Sequence, residues 1–312
     1  MIRNYCFSLI NYLRRHKIRT AIGGILLLWY IFCLPSPLFK EGYATVVESR
    51  EGKLLGGKIA PDGQWRFPER DTVPYKLRKA ILAFEDAHFY YHWGVNPIST
   101  AKALLTNLRH GHTVRGGSTL TQQVIRLARK NKARTYGEKL IEAIWATRLE
   151  FRYSKEKILA LYASHAPFGG NVIGADMAAW RYFGVSLEQL SWAEACTLAV
   201  LPNAPGLIFP GHNQNALKKK RDFLLEKLLK NHTIDKTTYE LSLEEPLVER
   251  PHELPNIAPH LVERIARTAP NKRQLTTIDY YLQERVQEVI AKYYRHYKRF
   301  EVHNLCALVV DV

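Results

Sequence analysis

Residues 75–95 read YKLRKAILAFEDAHFYYHWGV, and this stretch decides the fold class. Leu77, Ala80, Ile81 and Phe84 repeat at three and four residues, so they line one face of a helix that starts after Pro74 and runs to Glu85. The same period recurs downstream. Pro97 can open a helix carrying Ala101, Leu104, Leu105 and Leu108 that ends before Gly111. Ser118 can cap a helix over 119–130, a fourth covers 137–151, and Ser154 can cap a fifth over 155–163. Ser191 and Glu194 form a capping box for a helix ending before Pro202. Residues 213–230 read as a basic amphipathic helix, Pro251, Pro255 and Pro259 as an extended crossing, 280–299 as a helix and 305–312 as a strand. Upstream, YATVVES and GQWRF are strand candidates, and EGK and PDG are turn signals. The fold class is therefore mainly α, with a domain over 74–245, a β-rich segment over 40–73 before it and a linker with a further segment over 246–312 after it.

The 312 residues are 46% hydrophobic and 24% charged, enough to bury a sizeable core. That excludes a disulfide-stapled miniprotein, a collagen-like chain and a disordered linker protein. Cys6, Cys33, Cys196 and Cys306 form no C-x-x-C pair, so a zinc ribbon or redox motif has no support. Cys196 and Cys306 are expected to be structural thiols. The 45 basic and 29 acidic residues leave a net charge of +16, which implies an anionic partner. Residues 1–40 hold six Lys/Arg and no acid; residues 101–139 hold nine and one acid, Glu138.

Residues 20–39, TAIGGILLLWYIFCLPSPLF, carry no charge. At about 1.5 Å per residue such a helix spans roughly 30 Å, the thickness of a bilayer core. Pro35 and Pro37 are expected to end it near Leu34. Arg14, Arg15, Lys17 and Arg19 before it keep residues 1–19 cytoplasmic by the positive-inside rule. A cleaved signal peptide would share the basic and apolar regions, but no A-x-A site follows, which favours an anchor. Either way the bulk of the chain is delivered outside the cytoplasm, and nucleic acid is not the expected anionic partner.

Two clusters stand out: Glu85-Asp86-Ala87-His88-Phe89-Tyr90-Tyr91-His92-Trp93-Gly94-Val95 and Arg115-Gly116-Gly117-Ser118-Thr119-Leu120-Thr121-Gln122-Gln123. Lys139-x-x-Glu142 follows, and then Tyr153-Ser154-Lys155 with Ile158-Leu159-x-Leu161-Tyr162. Singly, each has an ordinary structural explanation: a solvated helix end, a surface ion pair, a turn and an N-cap. In this order and spacing they resemble the glycosyltransferase family 51 domain of the class A penicillin-binding proteins. Ala166-Pro167-Phe168-Gly169-Gly170 and Leu254-Pro255-Asn256-Ile257-Ala258-Pro259-His260 resemble the penicillin-binding protein 1C branch.

The resemblance implies a lysozyme-like helical fold and a reaction, the joining of lipid II disaccharides into β-1,4 glycan strands with undecaprenyl pyrophosphate leaving. It implies an inner-membrane protein with one span and a periplasmic catalytic domain. The chemistry of the residues agrees. A sugar hydroxyl is a poor nucleophile until a base removes its proton. Glu85, beside Phe84, Phe89 and Trp93, is the candidate base. A leaving pyrophosphate needs cations. Arg115, Arg126, Lys139 and Lys155 can supply them, and Glu142, one turn from Lys139, can orient that lysine or help at the donor. The helix N-terminus at Ser118 offers backbone N–H groups to a phosphate. Asp86, Phe89, His92, Gly117, Ser118, Thr119, Gln122 and Gln123 complete the expected substrate-binding set. Two carboxylates on opposite sides of the glycosidic centre would give inversion.

Expected partners are lipid II, the growing lipid-linked glycan and inner-membrane phospholipids. Other cell-wall synthesis proteins and a divalent cation, Mg or Mn, at the pyrophosphate are open additions. The chain departs from the family pattern at Ala87, Asn96, Leu127, Glu138 and Ser164. Ser99-x-x-Lys102 and Ser154-x-x-Lys157 match S-x-x-K formally but lie at helix starts, and no K-T-G follows. A chain truncated at the start of a transpeptidase domain is the expectation, with no transpeptidase activity. Two alternatives stay open, a lysozyme-like glycan-cleaving enzyme and a catalytically inactive membrane-anchored scaffold.

Overall fold

A computed structural model describes residues 15–111, 116–132 and 135–309. The protein is mainly helical with two small sheets. It divides into two compact units, one from the described residues up to Lys40 with His88–Ile158, the other from Glu41–Ala87 with the chain after Leu159.

In the first unit, α1 (Lys17–Phe32) is sixteen residues long, about 24 Å at 1.5 Å per residue. Among the described residues no helix is long and apolar enough to cross a membrane. The helix ends at Phe32, close to the stop near Leu34 expected from Pro35 and Pro37. The chain leaves the helix before Pro35, and Leu34, Leu38 and Phe39 are buried. Arg148 Nε donates to the Ile31 carbonyl at 3.1 Å, one the helix end leaves open, and Arg152 Nη1 to that of Pro35, past the helix, at 3.0 Å. Ile22, Ile25, Leu26, Leu27, Leu28 and Phe32 are all exposed.

α3 (Pro97–His110), which follows α2 (Tyr75–Glu85) in the chain, has Asn96 Oδ1 accepting the Ser99 N–H at 3.0 Å and Gly111 in the left-handed region at φ 69°. The proline and glycine stand where the sequence placed them. α4 (Leu120–Ala128) is capped by Thr119, not by Ser118. Thr119 Oγ1 accepts the Gln122 N–H at 3.2 Å, and Gln122 Oε1 accepts the Thr119 N–H at 3.0 Å. Ser118 cannot close such a box, because its third residue on is Thr121. α5 (Tyr136–Arg152) packs along α4.

In the second unit, β1 (Thr45–Glu48) pairs antiparallel with β2 (Leu54–Lys58), Val46 opposite Gly57. On its other side β1 pairs parallel with β6 (Arg273–Leu275), Val46 opposite Arg273. β3 (Trp65–Arg66) pairs with β5 (Val172–Ile173), which pairs with β4 (Pro167–Gly169). α2 (Tyr75–Glu85) buries Leu77, Ala80, Ile81 and Ala83 against α8 (Trp192–Val200) and α9 (Gln214–Lys230). α6 (Lys155–His165) carries buried Leu159, Ala160, Leu161 and Tyr162 into this core. α7 (Ala175–Phe183) and α10 (Lys236–Glu244) complete it.

The proline-rich crossing is only partly extended, since Pro259 opens α11 (Pro259–Thr268), where a proline costs no hydrogen bond. Val262 and Ile265 of α11 join Val47, Leu55 and Ala258 in a second buried cluster. α12 (Tyr280–Tyr297) matches the helix expected over 280–299. The strand expected over 305–312 does not form in its described part. Residues up to Val309 pair with nothing as a strand, and Leu308 and Val309 stay exposed; the last three residues lie outside the described ones. β-propensity without a partner strand does not make a strand. Cys196 is buried and Cys306 exposed, both as free thiols.

Candidate functional site

The cationic cluster belongs to the first unit. Gly117, Ser118 and Thr119 lead into α4 over the N-terminal half of α3: a Cβ at Gly117 would sit 3.0 Å from Ala103 Cβ and Thr100 Cα. Thr119 Oγ1 donates to the Gly94 carbonyl at 2.6 Å, which ties the two conspicuous motifs together. Leu120, Thr121 and Gln122 are buried. The capping box occupies the N–H groups of Thr119 and Gln122. Thr119 and Gln122 are framing residues, and Gln123 beside them is half-buried with its N–H on the Thr119 carbonyl at 3.0 Å.

Arg126 and Glu142 join α4 to α5 through two hydrogen bonds, Nε to Oε1 at 2.9 Å and Nη2 to Oε2 at 3.1 Å. Glu142 therefore holds Arg126, not Lys139 as its spacing suggested: at i, i+3 the lysine stem points along the helix surface, while the guanidinium meets the carboxylate from the neighbouring helix in a bidentate fork. Lys139 is exposed, and its Nζ donates to Ser118 Oγ at 3.1 Å. Arg126 Nη2 reaches the same hydroxyl at 3.3 Å. Ser118 is thus the point where both cations converge. Arg115 lies outside the described residues.

Lys155 is placed differently from the free cation the sequence suggested. Its Nζ donates to Glu150 Oε1 at 2.8 Å and to the His92 carbonyl at 2.7 Å, and sits 4.5 Å from the centre of the Phe89 ring. Thr121 Oγ1 donates to the same Glu150 oxygen at 2.6 Å. Phe89 and His92 are buried and Lys155 is half-buried. These three residues hold the turn after α2 onto the start of α6. Thr121 lay within a quoted motif without being singled out, and Glu150 escaped sequence reading because nothing in its local spacing marks it.

The candidate base belongs to the second unit. Glu85 ends α2, half-buried, with its Oε1 fully enclosed. Asp86 is buried as the C-cap, its N–H on the Leu82 carbonyl at 3.1 Å. Tyr162 of α6 stands beside Glu85: burial pushes its phenol well above the ordinary range, and the Glu85 charge adds to the rise. Lys220 of α9 is near as well. Burial lowers its ammonium pKa, the Glu85 charge opposes that, and its Nζ donates to Asn203 Oδ1 at 2.7 Å. A neutral phenol and a lysine thus stand near the carboxylate, whose enclosed oxygen is removed from water, a setting in which a carboxylate can take up a proton. Tyr162 lay within a quoted motif; Lys220 lay in the basic run 218–221, which the sequence reads only as a helix face.

The transglycosylase family model matches residues 56–229. Penicillin-binding protein 1C of Escherichia coli (strain K12) is 36% identical over 256 residues, 82% of this chain and 33% of its own length. Penicillin-binding protein 1A of Aquifex aeolicus (strain VF5) is 32% identical over 69% of this chain and 30% of its own. A crystal structure of penicillin-binding protein 1A from Haemophilus influenzae aligns with 80% of this chain and 29% of its own, at TM-score 0.38 and 20% identity. The chain spans about a third of the length of the curated relatives it matches.

Proposed function

Because the chain belongs to the transglycosylase family, we propose that it is a peptidoglycan glycosyltransferase that polymerises lipid II into β-1,4 glycan strands and releases undecaprenyl pyrophosphate. The observation that carries the reading is the match over residues 56–229, which takes in Glu85, Arg126, Lys139 and Glu142 together. Glu85 removes the proton of the acceptor sugar hydroxyl as the glycosidic bond forms. Lys139, with Arg126 held by Glu142, meets the charge that develops on the departing pyrophosphate. Ser118 orients both cations before substrate arrives, which lowers the reorganisation required during reaction.

The single-pass topology is part of the same proposal: N-terminus in the cytoplasm, catalytic domain in the periplasm, and a lysozyme-like arrangement of the helices. The exposed apolar side chains of α1 and the preceding Arg15, Lys17 and Arg19 support a helix that enters the inner membrane and contacts its phospholipids. Other cell-wall synthesis proteins remain proposed partners. A divalent cation would arrive with the pyrophosphate. Among the described residues no three His, Cys, Asp or Glu side chains stand together as ligands, so substrate oxygens would supply most of its coordination.

The test is incubation of the purified chain in detergent with labelled lipid II. Polymer on a gel supports the proposal. Release of muropeptides from purified wall would identify a glycan-cleaving enzyme instead. Neither product from a folded chain would identify a scaffold.

A further inference from the structure

The acid at position 138, just before Lys139, is out of character with its surroundings: it is the one acidic residue among nine basic ones in residues 101–139. The structure gives it a partner. Glu138 lies in the first turn of α5, its own N–H capped by Thr135 Oγ1 at 3.1 Å. Its side chain turns away from that cap to Arg129, the C-cap residue of α4, which donates from Nε to Oε1 and from Nη2 to Oε2, the latter at 2.9 Å. Both side chains are only 13% exposed. The other face of the Arg129 guanidinium lies on the Trp145 ring, 4.5 Å from its centre. Trp145 stands seven residues after Glu138, two turns along the same side of α5.

Carboxylate at its edge and indole at its face fix the guanidinium in direction and tilt, the two contacts a planar cation can make at once. The Trp145 indole N–H is buried without an acceptor among the described residues. Such a donor is costly, and the contact this residue is seen to provide is its ring face. The clamp grips α5 at its first turn and again at Trp145. It thereby sets the rotation of the turn from which Lys139 projects toward Ser118. A lysine on a flexible stem needs such a base, since rotamer freedom is lost on fixing it.

We propose that Arg129, Glu138 and Trp145 are positioning residues that hold Lys139 at Ser118, ready for the pyrophosphate of a lipid-linked sugar donor. The proposal rests on the glycosyltransferase reading and deepens it. Neither Arg129 nor Glu138 has charge to spare for substrate, because each neutralises the other. Their effect passes through Lys139.

The experiment compares the full chain with Glu138→Gln, with Trp145→Phe and Trp145→Ala, and with the charge swap Arg129→Glu/Glu138→Arg. Each is assayed for KM and kcat with lipid II and checked for folding by circular dichroism. Glu138→Gln should raise KM about tenfold with kcat within about twofold; the swap should recover at least half of that loss on a logarithmic scale; Trp145→Phe, which keeps a ring, should match the parent while Trp145→Ala follows Glu138→Gln. A folded Glu138→Gln with unchanged KM overturns the proposal, as does a folded swap without recovery. If Glu138→Gln does not fold, Trp145→Ala against Trp145→Phe decides. If the parent makes no polymer, the functional reading fails by itself, and calorimetric binding of farnesyl pyrophosphate to the same variants decides the clamp: equal affinity in all of them rejects it.

Discussion

Glu142 on α5 is held by Arg126 on α4 through two donors on one guanidinium edge, Nε and Nη2, at 2.9 and 3.1 Å, with the Glu142 side chain 7% and the Arg126 side chain 19% exposed. Removing one member of such a pair strands the other in a water-poor place. Glu142→Ala is expected to lower unfolding stability by about 2–3 kcal/mol, below the roughly 3–5 kcal/mol of a fully buried pair because Arg126 retains some solvent. Urea unfolding of the two proteins measures it. A loss under about 0.5 kcal/mol would show that the pair is a surface contact.

Glu85→Gln keeps the shape of the side chain and removes its basicity. Polymerisation should fall by at least about a hundredfold, the lower scale for loss of a general base, while thermal unfolding stays cooperative. Near-parental polymer from this variant would take the role away from Glu85.

Lys139→Ala removes a cation that donates to Ser118 Oγ at 3.1 Å. Binding of a lipid pyrophosphate, or of a phosphoglycolipid inhibitor such as moenomycin, should weaken about tenfold, the scale of one charge-assisted hydrogen bond. Calorimetric titration reads it directly. Unchanged affinity would place the phosphate elsewhere.

Gly94 has φ +85°, and a Cβ there would lie 2.6 Å from the carbonyl carbon and oxygen of Ala146. Its own carbonyl accepts from Thr119. Gly94→Ala combines a left-handed backbone, about 1–2 kcal/mol, with a clash against backbone that has no rotamer to yield. The expected outcome is a loss above about 3 kcal/mol, one of the large effects reserved for strain. A melting temperature within a few degrees of the parent's would disprove the close approach.

His165 is buried at the end of α6, its Nε2–H on Glu69 Oε1 at 2.8 Å, with Tyr43 donating to the same oxygen at 3.0 Å. Burial lowers the imidazole pKa from its ordinary 6.5, against the opposing pull of Glu69. The folded chain then binds fewer protons than the unfolded chain below that pH. The stability this group contributes is complete above 6.5 and is lost as pH falls through the lowered folded-state value. His165→Gln should flatten the decline in unfolding stability between about pH 7 and pH 5. An equally steep decline in the variant would assign it to other groups.

The helices over 75–85, 97–110 and 192–200 were legible because their determinants are local. Apolar spacing, Pro97 at a first turn, Gly111 past a last turn and the Ser191–Glu194 box each act within four residues of the backbone they shape. Short strands and single-turn stops were less so. β6 exists because β1 offers it an edge, and residues 305–309 stay irregular for want of one. A pairing partner some 225 residues away leaves no trace in local spacing.

The sequence by itself determined that this chain is mainly helical, that an apolar segment precedes it, and that Glu85, Ser118, Lys139 and Glu142 stand in motifs of a fixed order. Motif residues announce themselves by type and interval. Only the tertiary structure decided which charge meets which. It paired Glu142 with Arg126, Glu138 with Arg129 and Lys155 with Glu150, leaving Lys139 on a hydroxyl. Helical spacing permits Glu142 to reach Lys139, but a carboxylate goes to the cation that offers two parallel donors at low solvent exposure, and that geometry arises only when α4 and α5 are packed.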